Sequence, residues 1–505
     1  MHYFLVVLFC ITLSITGCAS KVQAPAEVSY ALTNTDHTRL GMGIAKFAEQ
    51  HSAPSGFYLL SNGLDAFVTR LLLIEAAEAS LDVQYYLFHD DTTAKLFTYY
   101  LLRAADRGVR VRMLLDDFGH SGQEALFSAL VQHPNIAIRL FNPFTSRRLP
   151  YVDFVTRFST AHRRMHNKAF IADNQAAIIG GRNIGNTYFA ADDYTHFADL
   201  DVLGVGLFAS EVSDAFDVYW NHSLSIPVQQ FADAPSSALV SARYQLVKAR
   251  ETETSRAYLA RLEVLQLIEE LKRGELSMYW AESDLIYDAP DKILNPSKDT
   301  NGHMAPALKK LLGDAHSEAL IVSPYFVPGK KGVASLARWV SEGAEVTVLT
   351  NSLAANDVPL VHSGYAKYRR PLIEAGVNLW ELQPRGKQTK RNKDAIGSSK
   401  ASLHAKTMIL DKNTLFVGSM NLDPRSVNLN TEIGVLIYSQ PLAEFASDAF
   451  LAELPAHAWR LDIHSNVDDA SRSKQLVWLN EFHQPATIIS FKNEPESSRW
   501  RRFQV

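Results

Sequence analysis

The sequence predicts an α/β protein built of two similar halves, and three observations carry that prediction. At 505 residues the chain is longer than one hydrophobic core ordinarily supports, so two domains are expected. A pattern His-x-Lys-x-x-x-x-Asp occurs twice, as His166, Lys168 and Asp173 in HNKAFIAD and as His404, Lys406 and Asp411 in HAKTMILD, 238 residues later. Each copy is followed at the same interval by a glycine turn and an asparagine, Gly180-Gly181-Arg182-Asn183 and Gly418-Ser419-Met420-Asn421. Strand-like apolar runs also alternate with helical stretches such as 92–106 and 332–342, the pattern of sheets buried between helices.

In chain order, residues 4–15 form an apolar run too short to span a bilayer, followed by Ile15-Thr16-Gly17-Cys18. This reads as a bacterial lipoprotein signal cleaved before Cys18, which would then carry the lipid; the alternative is an uncleaved hydrophobic anchor. Cleavage would also remove Cys10, leaving no thiol pair for a disulfide, as suits an exported protein held together by its core. Ala19, not Asp, follows Cys18, which points to the outer membrane of the bacterial envelope, with the domains facing the periplasm. The expected divisions are a signal peptide (1–17), a linker (18–55), a first half (56–225), a bridging segment (226–275), a second half (276–454) and a C-terminal extension (455–505) holding Trp459, Trp478 and Trp500. Within the bridge, Leu259, Leu262, Leu265 and Ile268 recur at helical spacing, so a helix over 255–272 should pack its stripe on the domains. The repeat extends beyond the motifs: LDVQYYLF near Gln84 corresponds to LIVSPYFV near Ser323, and Arg107-Gly108-Val109 before VRMLL corresponds to Glu342-Gly343-Ala344 before VTVLT.

Each motif reads as a hairpin, an apolar run from the motif lysine, a short turn and a second apolar run, 176–179 or 415–417. Residues two apart on a strand project to one side, so His and Lys share a surface. Gly180 and Gly418 allow close backbone approach and bring Asn183 or Asn421 back beside that pair. Imidazole, ammonium and amide together suit a phosphate oxyanion. Cleaving a phosphodiester takes a nucleophile, a proton donor for the leaving alkoxide, and positive charge around the equatorial oxygens. Two half-sites facing each other supply one histidine to attack and one to donate, with Lys168, Lys406, Asn183 and Asn421 gripping the phosphate. An unperturbed pKa of about 6.5 lets one ring be neutral and the other protonated, with coupled titrations. Neither motif offers further His, Cys or carboxylate groups at ligand spacing, and each lysine repels cations, so no metal and no cofactor are expected. A lone His-x-Lys would be an ordinary surface strand; the duplication is what argues for chemistry.

LDVQYYLF, RGVRVRMLLDD, RRMHNKAF, GGRNIGNTYF, DLDVLGVG, SPYFVP, SLHAKT and GSMNLDPRS together resemble the phospholipase D superfamily, and within it the cardiolipin synthase C branch, over nearly the whole chain from Gly56. The resemblance implies two pseudo-symmetric α/β sandwich halves with the active site between them, and a covalent phosphohistidine. It also implies one acidic residue per half, orienting the histidine of its own half: Glu432 in the second, and in the first Asp199 or Asp201, with the strand alignment favouring Asp199. It makes Asp173 and Asp411 supporting residues, near the hairpin turns. Arg163, Arg164 and the loop 385–400, with six basic residues and one acid, read either as solvated surface or as headgroup steering. Tyr85, Tyr86, Tyr325 and Phe326 read as core or as acyl-chain contacts. Asn356, Asp357 and His362 are candidates for shaping acceptor choice.

The expected function is phosphatidyl transfer from a membrane phospholipid to a glycerol-bearing alcohol, making cardiolipin, with His166 as nucleophile and His404 as acid. The rivals are a phospholipase D using water as acceptor and a non-catalytic lipid-binding envelope lipoprotein. A net charge of −4 gives no basic field for nucleic acid, so phospholipids and a membrane are the expected partners. Donor headgroup and oligomeric state are not legible.

Overall fold

The computed structural model describes residues 27–119, 122–145, 152–191, 196–273, 276–356, 358–384, 401–465, 474–480, 489–491, 493–503 and 505. Cys18, the basic loop 385–400 and Asp357 lie outside the described residues.

The first half contains β1 (Ser55–Leu60), β2 (Ser80–Leu87), β3 (Arg110–Gly119), β4 (Ile136–Phe141), β5 (Ala169–Ala172), β6 (Ala176–Gly180), β7 (His196–Ala198), β8 (Asp201–Gly206) and β9 (Ser225–Pro227). All but β7 form a sheet ordered β1-β8-β6-β5-β2-β3-β4-β9, with β2, β3 and β4 parallel and the other neighbours antiparallel. The second half contains β10 (Tyr279–Tyr287), β11 (Glu318–Val322), β12 (Glu345–Asn351), β13 (Asn378–Leu382), β14 (Ala401–Leu403), β15 (Thr407–Leu410), β16 (Thr414–Gly418), β17 (Ile433–Tyr438), β18 (Ala458–Ser465), β19 (Lys474–Asn480) and β20 (Ile489–Phe491). Its order, β10-β17-β16-β15-β11-β12-β13-β18, repeats the first strand for strand, and β19 and β20 extend its far edge. β1 pairs antiparallel with β10, Gly56 opposite Trp280, so the two sheets run edge to edge as one.

Three apolar clusters hold these layers. One packs helices Gly63–Ala76 and Thr92–Asp106 on the outer face of the first sheet, and another covers the outer face of the second. Between them, Ile171, Ile179 and Val202 of the first half meet Ile409, Val417 and Ile433 of the second in a shared cluster. Strands β5, β6, β15 and β17 are therefore buried on both faces, which is why their sequences are continuous apolar runs with no polar alternation.

Both motif hairpins turn through left-handed residues, Asp173 and Asn174 at φ +51° and +55°, and Asp411 and Lys412 at +52° and +50°. Such turns match the twist of the flanking strands. The aspartates do more than tolerate the turn. Asp173 accepts the N–H groups of Glu78, Ala79 and Ser80 at 2.8–2.9 Å, and Asp411 those of His316, Ser317 and Glu318 at 2.7–3.1 Å. Each fastens the entry of the neighbouring strand, β2 or β11.

Two expectations change here. The bridging helix over 255–272 is two helices, Glu253–Glu263 and Gln266–Arg273, preceded by Ser237–Glu251; Leu262 is buried and Leu259, Leu265 and Ile268 pack on the first core. Residue 454, the expected end of the second half, lies inside helix Gln440–His457, and β18 continues the second sheet beyond it, burying Trp459 and Trp478. Gly180 and Gly418 end their strands where the chain bends, at residues 181 and 419. A Cβ at Gly180 would lie 2.4 Å from Asp201 Oδ1, and one at Gly418 2.6 Å from the Ile433 oxygen, so close approach requires glycine at both.

Candidate active site

Strand geometry brings the motifs to one seam. The segment before β5 pairs with the segment before β17: His166 N–H donates to the Thr431 oxygen at 2.8 Å and Thr431 N–H to the Arg164 oxygen at 3.0 Å. The corresponding pairing in the other direction joins β7 to β14 in parallel, after which His404 and Ala405 N–H both donate to the Ala198 oxygen. Each histidine segment is thus hydrogen-bonded to the acid-bearing segment of the opposite half.

The side chains follow the backbone. His166 Nδ1 meets Glu432 Oε2 at 2.8 Å, across 266 residues of sequence, and His404 Nδ1 meets Asp199 Oδ2 at 2.6 Å, across 205. The expectation that each acid orients the histidine of its own half is therefore corrected: the pairs are crossed. The strand pairing explains why, since Thr431 and Ala198 are bonded to the other half's histidine segment and their neighbours Glu432 and Asp199 follow. Asp201 is occupied elsewhere, with Arg70 at 2.8 Å and Arg182 at 3.4 Å.

Both lysines fold back along their own motifs. Lys168 Nζ donates to the His166 oxygen at 2.5 Å, and Lys406 Nζ donates to the His404 oxygen. Lys406 Nζ also stands 2.8 Å from His404 Nδ1. That nitrogen cannot both give a proton to Asp199 and accept one from an ammonium; with the carboxylate the closer partner, we assign the Nδ1 proton to the Asp199 bond and the lysine's bond to the carbonyl. Asn183 accepts Leu87 N–H at its amide oxygen, at 3.1 Å, and donates to the Tyr188 hydroxyl at 2.9 Å, while the buried amide oxygen of Asn421 has no partner among the described residues.

Burial dominates the electrostatics. It pushes the His166 pKa down to about 4, with Glu432 opposing and Lys168 reinforcing. Burial likewise lowers His404, helped by Lys406 and opposed by Asp199. Lys168 falls to about 7 through burial, with Glu432 opposing and Lys406 adding. Burial raises Asp199 and Glu432, but the charges of the histidine and lysine beside each outweigh it, and both are held below the usual carboxylate range. A buried lysine whose pKa is lowered further by a second cation marks a site prepared for an anion.

Several supporting residues were not legible as such. Asp116, in the second half of β3, accepts Met165 N–H at 2.8 Å and holds the buried Arg164 guanidinium at 2.8 Å. Asn351, at the end of β12, accepts Leu403 N–H at 2.9 Å and donates to the Leu403 oxygen at 3.0 Å. The two brace the residue before each histidine, and the alignment of VRMLL with VTVLT could have found them. Ser419 donates to Glu432 Oε2 at 2.5 Å, and Asp288 accepts Glu432 N–H at 2.9 Å. Arg163 and Arg164 are buried: Arg163 donates to the oxygens of Lys292 and Ile293, so neither arginine is a solvated or headgroup-facing cation. His362 faces Glu494 at 3.2 Å and Arg369 at 2.7 Å, in a cluster that ties the C-terminal segment to the second half. Tyr85 and Phe326 are core, whereas Tyr86 sets its ring edge against His166 at 5.1 Å.

The chain matches the family model described as cardiolipin synthase, PLD-like domain, over residues 71–220 and 308–453, one match per half. It belongs to this phospholipase D-like family. Cardiolipin synthase C of Escherichia coli is 39% identical over 92% of this chain and 97% of its own length. A cardiolipin synthase of Listeria monocytogenes is 24% identical over 78% and 68% respectively. The solved phosphatidylserine synthase of Haemophilus influenzae covers 83% of this chain and 92% of its own, with a TM-score of 0.56 at 16% identity, and shows the same fold. The chain is a phospholipase D-type phosphatidyltransferase homologous to cardiolipin synthase C. No helix among the described residues is long and apolar enough to cross a membrane.

Proposed function

We propose that this phosphatidyltransferase makes cardiolipin from membrane phospholipids through a phosphatidyl-histidine. The observation that supports it most is the crossed pairing, which commits Nδ1 of each histidine to a carboxylate and leaves Nε2 as the reacting atom of both. His166 Nε2 attacks the donor phosphorus and the bond to the headgroup alcohol breaks, with His404 giving that oxygen a proton. The glycerol hydroxyl of a second lipid then returns a proton to His404 and attacks the same phosphorus, and the bond to His166 breaks. Burial keeps His166 neutral at neutral pH, as a nucleophile must be. Lys168, Lys406, Asn183 and Asn421 hold the equatorial oxygens, and an anionic phosphate restores the full charge of Lys168. Glu432 and Asp199 aim the rings, while Asp173 and Asp411 brace the hairpins.

Incubating the purified protein with phosphatidylethanolamine and phosphatidylglycerol, followed by mass spectrometry of the lipids, is expected to give cardiolipin carrying both acyl sets. Phosphatidic acid alone would make it a hydrolase. Binding without product from any phosphodiester would favour the non-catalytic lipid-binding lipoprotein. Attachment to the outer membrane through Cys18 belongs to the same reading, supported by the apolar run and the Ile15-Thr16-Gly17-Cys18 sequence. Radiolabelled fatty acid should enter the protein and should be absent from Cys18→Ser.

A further inference from the structure

Tyr86 and Phe118 have no part in the chemistry above, yet they form a ladder from His166 to the surface. Tyr86 lies edge-on to the His166 ring at 5.1 Å and beneath Lys168 Nζ at 5.4 Å. Phe118 stacks on Tyr86 at 6.1 Å, with planes 4° apart, and is 49% exposed. The ladder is rigidly mounted. Phe118 N–H donates at 2.9 Å to Asp116, the carboxylate that also holds Met165, and a Cβ at Gly119 would lie 2.5 Å from the Tyr86 oxygen.

Further exposed apolar residues lie on segments tied to the same strand. Asp117 accepts Phe144 N–H at 2.7 Å, and Phe144 packs on Phe154 at 5.7 Å. Phe154 sits on the short helix Asp153–Thr156, where Val155 is 83% exposed, and the next, Phe158–Ala161, begins with Phe158 at 68%. Folding gains nothing from large apolar groups held in water, so exposed apolar residues on segments tied to the strand beside a catalytic cleft mark what binds there. The other imidazole has different company: His404 abuts Tyr188 at 5.2 Å, and the next ring outward is the exposed, polar His89 at 6.3 Å.

We infer that Tyr86 and Phe118, extended by Val155 and Phe158, form the subsite that takes the diacylglycerol part of a phospholipid donor from the membrane and lays it beside His166, leaving the Tyr188 and His89 side to the alcohols. This rests on the phosphatidyltransferase reading and deepens it. The phosphatidyl group stays on His166 through both steps while the alcohol exchanges at His404, so an apolar wall is useful on one side and a polar one on the other.

The test compares kcat/KM for a dioleoyl donor in mixed micelles with that for a monomeric dibutyryl donor. In Phe118→Ser the long-chain preference should fall about tenfold, equivalent to about 1.4 kcal/mol, and Phe118→Leu should restore most of it. Separately, cosedimentation with phosphatidylglycerol vesicles, measured in a His166→Ala background, should weaken about fivefold when Val155 and Phe158 are both changed to serine, with the melting temperature unchanged. An unaltered chain-length preference together with unaltered vesicle binding overturns the inference, as does an equal loss on both donors that leucine fails to rescue. Should the unsubstituted protein turn over neither donor, the phosphatidyltransferase reading fails, and the vesicle measurement still decides the subsite.

Discussion

Ser419 and Gly181 stand at the same place after their motifs, yet they meet the opposite half's histidine through different carboxylates in different ways. Ser419 donates to Glu432 at 2.5 Å and accepts Ile433 N–H at 3.0 Å. At Gly181 a Cβ would lie 2.0 Å from Asp199 Oδ1, and it is Leu200 N–H, at 2.8 Å, that supplies the hydrogen bond to this carboxylate. Aspartate is one methylene shorter than glutamate, so its carboxylate sits close over the turn and needs glycine beneath it. The longer Glu432 leaves room for a hydroxyl. A position that looks interchangeable within the motif is thus matched to the length of the acid, and two copies of one pattern acquire separate surroundings.

The largest effect should come from the histidines themselves. His166→Ala and His404→Ala are each expected to lose at least about 10³-fold in turnover. With a donor carrying a leaving group that needs no protonation, His404→Ala should still form a stable phosphatidyl adduct, seen as a mass shift of the intact protein, and His166→Ala should not. The reverse result would exchange the roles.

Next come the carboxylates, where Glu432→Gln and Asp199→Asn should each cost about 10²–10⁴-fold, by analogy with a carboxylate that orients a catalytic imidazole. Their pH profiles test the crossing. The Glu432 charge raises the His166 pKa, so its removal lets His166 stay neutral to lower pH and moves the acid limb of kcat/KM downward. The Asp199 charge raises the His404 pKa, so its removal makes His404 lose its proton at lower pH and moves the alkaline limb downward. Pairing within each half would exchange the two results.

A smaller asymmetry is expected at the matched turn. Gly181→Ser should cost about 10²-fold by displacing Asp199, whereas Ser419→Gly should cost less than about tenfold, because it loses one hydrogen bond from a carboxylate that keeps its histidine. The smallest effect on chemistry lies at the braces, where stability is the better readout. Asp116→Asn breaks a buried ion pair with Arg164 and should destabilise by about 3–5 kcal/mol in denaturant titration. Asn351→Ala, removing only neutral hydrogen bonds in the other half, should cost about 1–3 kcal/mol.

Much of this site is legible in the chain. The histidines, lysines and hairpins follow from spacing and strand periodicity, which are local. Asp199 could be preferred to Asp201 because β6 and β8 pair as β16 and β17 do, with Gly180 opposite Asp201 and Gly418 opposite Gly434. Asp116 and Asn351 escaped notice because one is charged and the other neutral, although they do the same work. Phe118 escaped because a single aromatic at a strand end carries no periodic signal.

Within the chain, spacing and periodicity specify two hairpins, each carrying a histidine, a lysine and a following asparagine in a pattern that suits a phosphate ester. Only the tertiary structure decided which acid serves which histidine. Residue spacing specifies contacts within a hairpin, but contacts made across 205 and 266 residues depend on how two complete sheets meet at their seam. That meeting encloses His166 and partly encloses His404, lowers the pKa of each, and places an apolar ladder beside His166 and a polar edge beside His404.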